Sequence, residues 1–357
     1  MIEKYFKNNI KNIEPYVVSN EKYNIKLDAN ESPYSLDEET LELVISKIKQ
    51  IQFNRYPDGS GLELRKCYEK YCGAKYSNMI IGNGSDELIQ IIYSAFIDSG
   101  DKVALLDTDF SMYSIYAKAA GGNPTYFKLE NDFTLHTQDL IKFIEAEKPK
   151  LLVLSNPNNP TGGAISSNDI IKIVEGCSCP VVIDEAYFEF FGETVINQIN
   201  NYENLIVLRT CSKAISGASM RVGFLISNDF IIKQMNKVKP PFNVNTISQE
   251  IGKIVINCNK NIKNNVEKTK QIREYVYNEL NKFKNIRLYA ANSNFILIET
   301  KYSQEIYSHL KSNGIIVRDF NGGRLNNCLR VSIGTKDEMN EFLKCFNQIY
   351  NDTNGEY

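Results

Sequence analysis

At 357 residues the chain exceeds what one hydrophobic core usually sustains, roughly 250–300 residues, so two packed units are expected. Its formal charge of −2 leaves neither a basic nucleic-acid footprint nor a strongly acidic surface. No run approaches the about 18 apolar residues of a membrane span, and Met1 to Asn12 lacks a signal-peptide core, so a cytoplasmic protein is expected.

Residues up to about Ser35 are irregular and polar. From Asp37 to Ile51, Leu41, Val44, Ile45 and Ile48 recur at helical spacing behind an acidic start that suits a helix N-terminus. Beyond Leu62, helical stretches alternate with short apolar runs: Met79–Ile81, Val103–Leu106, Leu151–Leu154, Val181–Ile183, Leu205–Leu208 and Val222–Ile226. Each is of strand length, rich in Leu or β-branched residues, and bounded by Gly, Asn, Asp or Pro. Such runs between helices predict an α/β fold whose mostly parallel sheet is covered on both faces. After Pro240-Pro241 comes a long helix over about Ser248–Phe283. Strand Asn294–Ile298, helix Gln304–Ser312, strands Ile315–Arg318 and Leu329–Ile333, and helix Lys336–Tyr350 complete an α+β tail. The expected division is an arm over 1–35, a large domain over 36–245 and a small domain over 246–357, with 36–50 placed to pack on the small domain.

The eight cysteines form no repeated CxxC framework and read as free thiols in a reducing compartment. Cys177 and Cys179 could ligate a metal, but the two histidines, His136 and His309, lie far from them in sequence, so no metal is expected.

Four loops fall at the carboxyl ends of predicted strands, where open α/β sheets bind ligands. Gly82-Asn83-Gly84-Ser85-Asp86-Glu87 precedes a helix; its small residues allow close backbone approach, Ser85 can cap the helix, and the free amides suit a phosphate. Ser155-Asn156-Pro157-Asn158-Asn159-Pro160-Thr161-Gly162 is far more rigid than a connection needs. Asp184-Glu185-Ala186-Tyr187 offers a carboxylate for a protonated ring nitrogen and a phenol for a ring oxygen; the plainer roles are a helix cap and a packing residue. Thr210-Cys211-Ser212-Lys213-Ala214, followed by Met220-Arg221-Val222-Gly223, suits an aldehyde cofactor carrying a phosphate: the lysine forms a Schiff base while Ser212 and Arg221 hold the phosphate.

Taken together and in order, these segments resemble the motifs of the fold-type I pyridoxal-phosphate aminotransferases. The likeness extends to Lys26-Leu27-Asp28-Ala29-Asn30-Glu31-Ser32-Pro33, to Asn54-Arg55-Tyr56-Pro57-Asp58 and to Cys328-Leu329-Arg330-Val331-Ser332-Ile333-Gly334-Thr335, so it covers essentially the whole chain. Within that superfamily the LDANESP and NRYPD segments are most similar to the histidinol-phosphate aminotransferases. The resemblance implies a large domain with a mostly parallel seven-stranded sheet sandwiched by helices, plus a smaller α+β domain. It implies pyridoxal phosphate as cofactor and a cytoplasmic homodimer with shared active sites.

By the same resemblance, Lys213 is the Schiff-base lysine and the base that moves the proton, and Asp184 keeps the pyridine nitrogen protonated. Tyr187 and Asn159 hydrogen-bond the cofactor 3′-oxygen, and Phe110 stacks on the ring. Gly84, Ser85, Asp86, Ser212 and Arg221 line the phosphate cup, Asp86 as a cap for the helix amides, and Tyr56 reaches it from the neighbouring subunit. Arg330 grips a substrate carboxylate or phosphate through its bidentate fork, joined by Arg318, Tyr16 and Asn30. Ile215-Ser216-Gly217-Ala218-Ser219-Met220 departs from the family's Gly-Leu-Ala-Gly-Leu type of run, as Cys211 does from a commonly apolar position, which bears on the substrate more than on the cofactor. The expected reaction is ping-pong transamination in histidine biosynthesis, from glutamate to imidazole acetol phosphate. The alternatives are an aminotransferase for an aromatic or other amino acid, a threonine-phosphate decarboxylase, and a cofactor-binding interaction module.

Overall fold

A computed structural model of the chain describes residues 2–11, 13, 23–320 and 322–354. The first strand, β1 (Ile25–Leu27), is a paired segment within the stretch that reads as irregular in sequence. Helix α1 (Glu38–Ile48) follows, with Asp37 accepting from Thr40 N at 2.8 Å to cap it, then α2 (Leu62–Cys72). The alternating stretch is then β2 (Met79–Asn83), α3 (Ser85–Phe96), β3 (Lys102–Leu106), α4 (Met112–Ala120), β4 (Asn123–Phe127), α5 (Thr137–Glu147), β5 (Leu151–Ser155), α6 (Ser167–Gly176), β6 (Val181–Asp184), α7 (Phe188–Phe191), β7 (Leu205–Thr210), β8 (Val222–Ser227) and α8 (Asp229–Val238).

These seven strands make one sheet in the order β2-β8-β7-β6-β5-β3-β4. Only β8 runs against the others, antiparallel to both β7 and β2. Every residue of β5, β6, β7 and β8 is buried, as strands covered on both faces require. Alternate residues serve opposite faces: Leu152 and Leu154 pack with Leu64, Ile170 and Val174, while Leu151 and Val153 pack with Leu88, Tyr113 and Ile231. Strand β4 escaped the apolar-run reading because it is an edge: Asn-Pro-Thr-Tyr-Phe is half exposed, and Pro124 is tolerated where no second neighbour needs its amide.

The long helix expected after Pro241 is two, α9 (Thr246–Asn257) and α10 (Asn259–Leu280), because Cys258 leaves the helical region at ψ 37°. The remainder is β9 (Arg287–Leu288), β10 (Phe295–Glu299), α11 (Ser303–Ser312), β11 (Ile315–Phe320), β12 (Cys328–Ser332) and α12 (Lys336–Asn354). Their sheet has the order β1-β11-β12-β10-β9, with β1 parallel to β11 and the other pairs antiparallel. Phe342, Phe346, Leu310 and Val276 cover its apolar face. None of the described helices is long and apolar enough to cross a membrane.

Candidate active site

One edge of the seven-stranded sheet collects the loops singled out by sequence. Its register sets Asp184 beside Ser155, Thr210 beside Gly223 and Asn83 beside Val222. The ends of β5, β6, β7 and β2 therefore meet the start of the reversed β8.

Between β2 and α3 the chain turns through Gly84 at φ 81°, a region where glycine is at home. Space also demands it: a Cβ on Gly84 would lie 2.3 Å from Arg221 Nη2, and one on Gly223 would lie 2.8 Å from Ser85 N. Arg221, itself at φ 52°, donates from Nη1 to Ser212 Oγ at 3.3 Å and from Nη2 to Asp86 Oδ2 at 3.1 Å. Thr210 Oγ1 accepts from Ser212 N at 3.1 Å and braces that serine. Ser85 or Asp86 reads in sequence as the cap of α3. Instead Gly84 holds the cap position, no side chain caps the helix, and the Asp86 carboxylate goes to Arg221. The uncapped α3 amides, Ser212 and Arg221 together form a donor set for a phosphate.

Just past β7, Lys213 donates from Nζ to Ala29 O at 3.0 Å and stands 5.7 Å from the centre of the Tyr187 ring. The segment carrying Ala29 wraps over the lysine loop, pinned by Ser216 Oγ to Ser32 Oγ at 2.8 Å. Asp184 is buried at the end of β6, accepting from Tyr113 Oη at 2.8 Å and from Ala186 N at 3.1 Å. Burial pushes its carboxyl up to about 6, with the charges of Asp86 and Glu185 adding to the effect. Tyr187 Oη accepts from Asn30 Nδ2 at 3.0 Å, so its own hydrogen is left to donate elsewhere. An amine, a desolvated carboxylate and a phosphate cup on one sheet edge fit pyridoxal phosphate by the chemistry of their donors and acceptors.

A second group of residues arrives from the other sheet. Arg330 on β12 faces Arg318 on β11 directly across the ladder. It donates from Nη1 to Asn159 Oδ1, on the loop after β5, and from Nη2 to Asp28 O at 2.6 Å. Asn30, expected at the substrate, is buried and already engaged: its amide serves Tyr187, its N donates to Ser332 Oγ at 2.8 Å, and its carbonyl accepts from Asn294 Nδ2 at 2.9 Å. It stands at φ 54°, a conformation those bonds hold in place.

The family model for aminotransferase class I and II matches residues 22–346. The chain belongs to that family. This aminotransferase is 45% identical over 345 residues to the histidinol-phosphate aminotransferase of Clostridium novyi, covering 97% of each chain. It is 44% identical over 349 residues to that of Clostridium kluyveri, covering 98% of this chain and 99% of the relative. The histidinol-phosphate aminotransferase of Sinorhizobium meliloti, solved in complex with pyridoxal phosphate, has the same fold: TM-score 0.89 over 98% of both chains, at 20% identity.

Two groups in this aminotransferase's site went unmarked in the sequence. Tyr113, fully buried, holds Asp184, and its ring meets that of Phe110 edge-on at 5.4 Å. Its signal was the spacing: Phe110 and Tyr113 are one helical turn apart at the start of α4, so one side of that turn carries both. Asp109 is the other, bonded to Ser155 at the end of β5. Tyr56 is 80% exposed and lies flat on Phe242, ring centres 4.6 Å apart. Tyr16 lies outside the described residues.

Proposed function

We propose that this chain is a pyridoxal-phosphate-dependent aminotransferase that takes the amino group of L-histidinol phosphate, with 2-oxoglutarate as acceptor, in histidine biosynthesis. The observation that carries the reading is the bond from Arg330 to Asn159, on the loop after β5, with Arg318 directly across the ladder from Arg330. Two guanidinium groups match a phosphate or a carboxylate, which are the anions the two substrates present in turn. The named activity of the full-length relatives supports it.

Pyridoxal phosphate, when bound, supplies the electron sink that stabilises negative charge at the substrate Cα. The chain's own residues do the rest. Ser212, Arg221 and the α3 amides, with Gly84 giving room, hold the phosphate, and Asp86 orients Arg221. Asp184, desolvated, accepts the proton-bearing ring nitrogen and keeps it protonated. Tyr187 Oη and Asn159 Nδ2 donate to the ring 3′-oxygen, and Phe110 covers one ring face. Lys213 Nζ would hold the cofactor aldehyde and, with its amine free, would be the base that takes the proton from the substrate Cα. Its present partner is a neutral carbonyl, so no counter-charge has to be displaced for that role.

The same proposal includes a homodimer, in which exposed Tyr56 reaches the partner's phosphate cup, and a cytoplasmic location. It also includes the division into an arm over 1–35, a large domain over 36–245 and a small one over 246–357. The test is spectroscopic: L-histidinol phosphate is added to the loaded protein without a keto acid. The visible band of the lysine-bound cofactor should give way to that of the aminated cofactor. A response to glutamate alone would discard the substrate, and carbon dioxide release from added O-phosphothreonine would make it a decarboxylase.

A further inference from the structure

Asp109 precedes the ring-stacking Phe110, and the reaction as described makes no use of it. The residue as a whole is half-buried, yet its carboxyl is desolvated. Burial, with the nearby charge of Asp184, pushes it up to about 7. Its Oδ1 accepts from Phe110 N at 2.8 Å and from Ser155 Oγ, and its Oδ2 accepts from Ser155 N at 3.3 Å. Ser155 Oγ in turn accepts from Asn159 N at 3.2 Å, and Asn159 Oδ1 accepts from Arg330 Nη1. A continuous line of hydrogen bonds thus runs from Asp109 to the arginine that meets the substrate anion.

The geometry points to Asp109 as a positioning residue: through Ser155 it fixes Asn159, and through Asn159 it aims Arg330 at the substrate. The polarity of the line explains why a carboxylate stands there. A serine hydroxyl has one hydrogen and can accept from others. Asp109, an acceptor when ionised, draws that hydrogen to itself and turns a lone pair of Ser155 Oγ to the Asn159 amide. The Asn159 side chain then presents Oδ1 to Arg330 and leaves Nδ2 for the cofactor oxygen. A second strut, Asn158 Nδ2 to Thr108 O at 3.1 Å, ties the same two loops and keeps them in register.

The inference rests on Arg330 being the anion-binding arginine, so the test reads both. Glutarate, an unreactive dicarboxylate, is titrated into the loaded enzyme and its dissociation constant is taken from the shift of the visible band. Ser155→Ala and Asp109→Ala should each weaken glutarate about tenfold, the loss of one charge-assisted hydrogen bond in the line. The retained cofactor should be unchanged. The double variant should be no worse than either single one, because both cut the same line. Asp109→Asn, which keeps an acceptor for Ser155 Oγ, should restore most of the affinity. Ser155→Ala removes a single hydroxyl and reads the line even where Asp109→Ala does not fold. Parent-like glutarate binding in Ser155→Ala, or additive losses in the double variant, would overturn the inference. If Arg330→Ala also binds glutarate normally, the reading of Arg330 falls with it.

Discussion

The two halves of the site are held by different kinds of structure. On the cofactor side, Gly84, Asp184, Ser212, Lys213 and Arg221 all leave one sheet edge, and the backbone ladder sets their spacing. On the anion side, Arg330 comes from the other sheet and reaches Asn159 and the Asp28 carbonyl through hydrogen bonds of its own side chain. The first arrangement is as rigid as the sheet. The second depends on a few polar contacts between separate elements, so it can be retuned for another anion without touching the chemistry. Changes on the cofactor side should therefore lower kcat, and changes on the anion side should raise KM.

The largest effect expected is for Lys213→Ala: a loss of about 10³-fold or more in kcat, since both the covalent anchor and the proton carrier go. Single-turnover kinetics and the absence of the lysine-bound visible band would check it. Asp184→Ala should cost about 10²–10³-fold in kcat while the phosphate cup still holds cofactor, because a preorganised charge partner is removed from a desolvated site. Equal losses in KM alone would break the comparison. Arg330→Ala, on the other side, should raise KM for both substrates, with about 10²-fold lost in kcat/KM and little lost in kcat. Arg318→Ala sharpens the contrast: it should weaken L-histidinol phosphate more than 2-oxoglutarate if the second arginine serves the phosphate.

The same contrast governs what could be read from the sequence. That Asp184, Lys213 and Arg221 gather at one sheet edge was legible because Asp184 ends one apolar strand, Lys213 lies just past another and Arg221 opens the next. The sheet was legible for the same reason, apart from β4, whose edge position needs no apolar run, and β1, which exists only by pairing with β11. The anion side was harder. Arg318 and Arg330 were marked by resemblance, but their cross-strand alignment appears only in the register. The engagement of Asn30 with Tyr187, and of Asp109 with Ser155, joins residues distant in sequence that no local pattern connects. Ser85 misled because serine before a helix is usually its cap; here Arg221 and Gly223 crowd that turn so closely that glycine must occupy it.

Tyr113→Phe probes the seam within the cofactor side. Its hydroxyl donates to Asp184 Oδ2 and so favours the carboxylate form. Without it Asp184 should rise further in the cofactor-free protein, and the acid limb of cofactor binding should move to higher pH, with about a tenfold loss of kcat or less. An unmoved acid limb would assign that limb to another group.

The smallest effect expected is on the stability of the cofactor-free protein. Burial raises the carboxyls of Asp184 to about 6, and of Asp109 and Glu189 to about 7. In the unfolded chain such groups titrate at about 4, so the folded state holds extra protons between those values. The stability they contribute is complete below the unfolded values and is lost as pH rises through 6 to 7. Thermal melts of the cofactor-free protein should therefore drop by about 1–3 °C from pH 5.5 to pH 7.5, on the order expected for losing a proton or two. Asp184→Asn should flatten part of that slope. Cofactor should flatten it too, because a protonated ring nitrogen gives the Asp184 carboxylate the partner that an empty site denies it. Asp109 and Glu189 should keep their share of the slope in both cases, so a slope that vanishes entirely on loading would mean that Asp184 alone carries it.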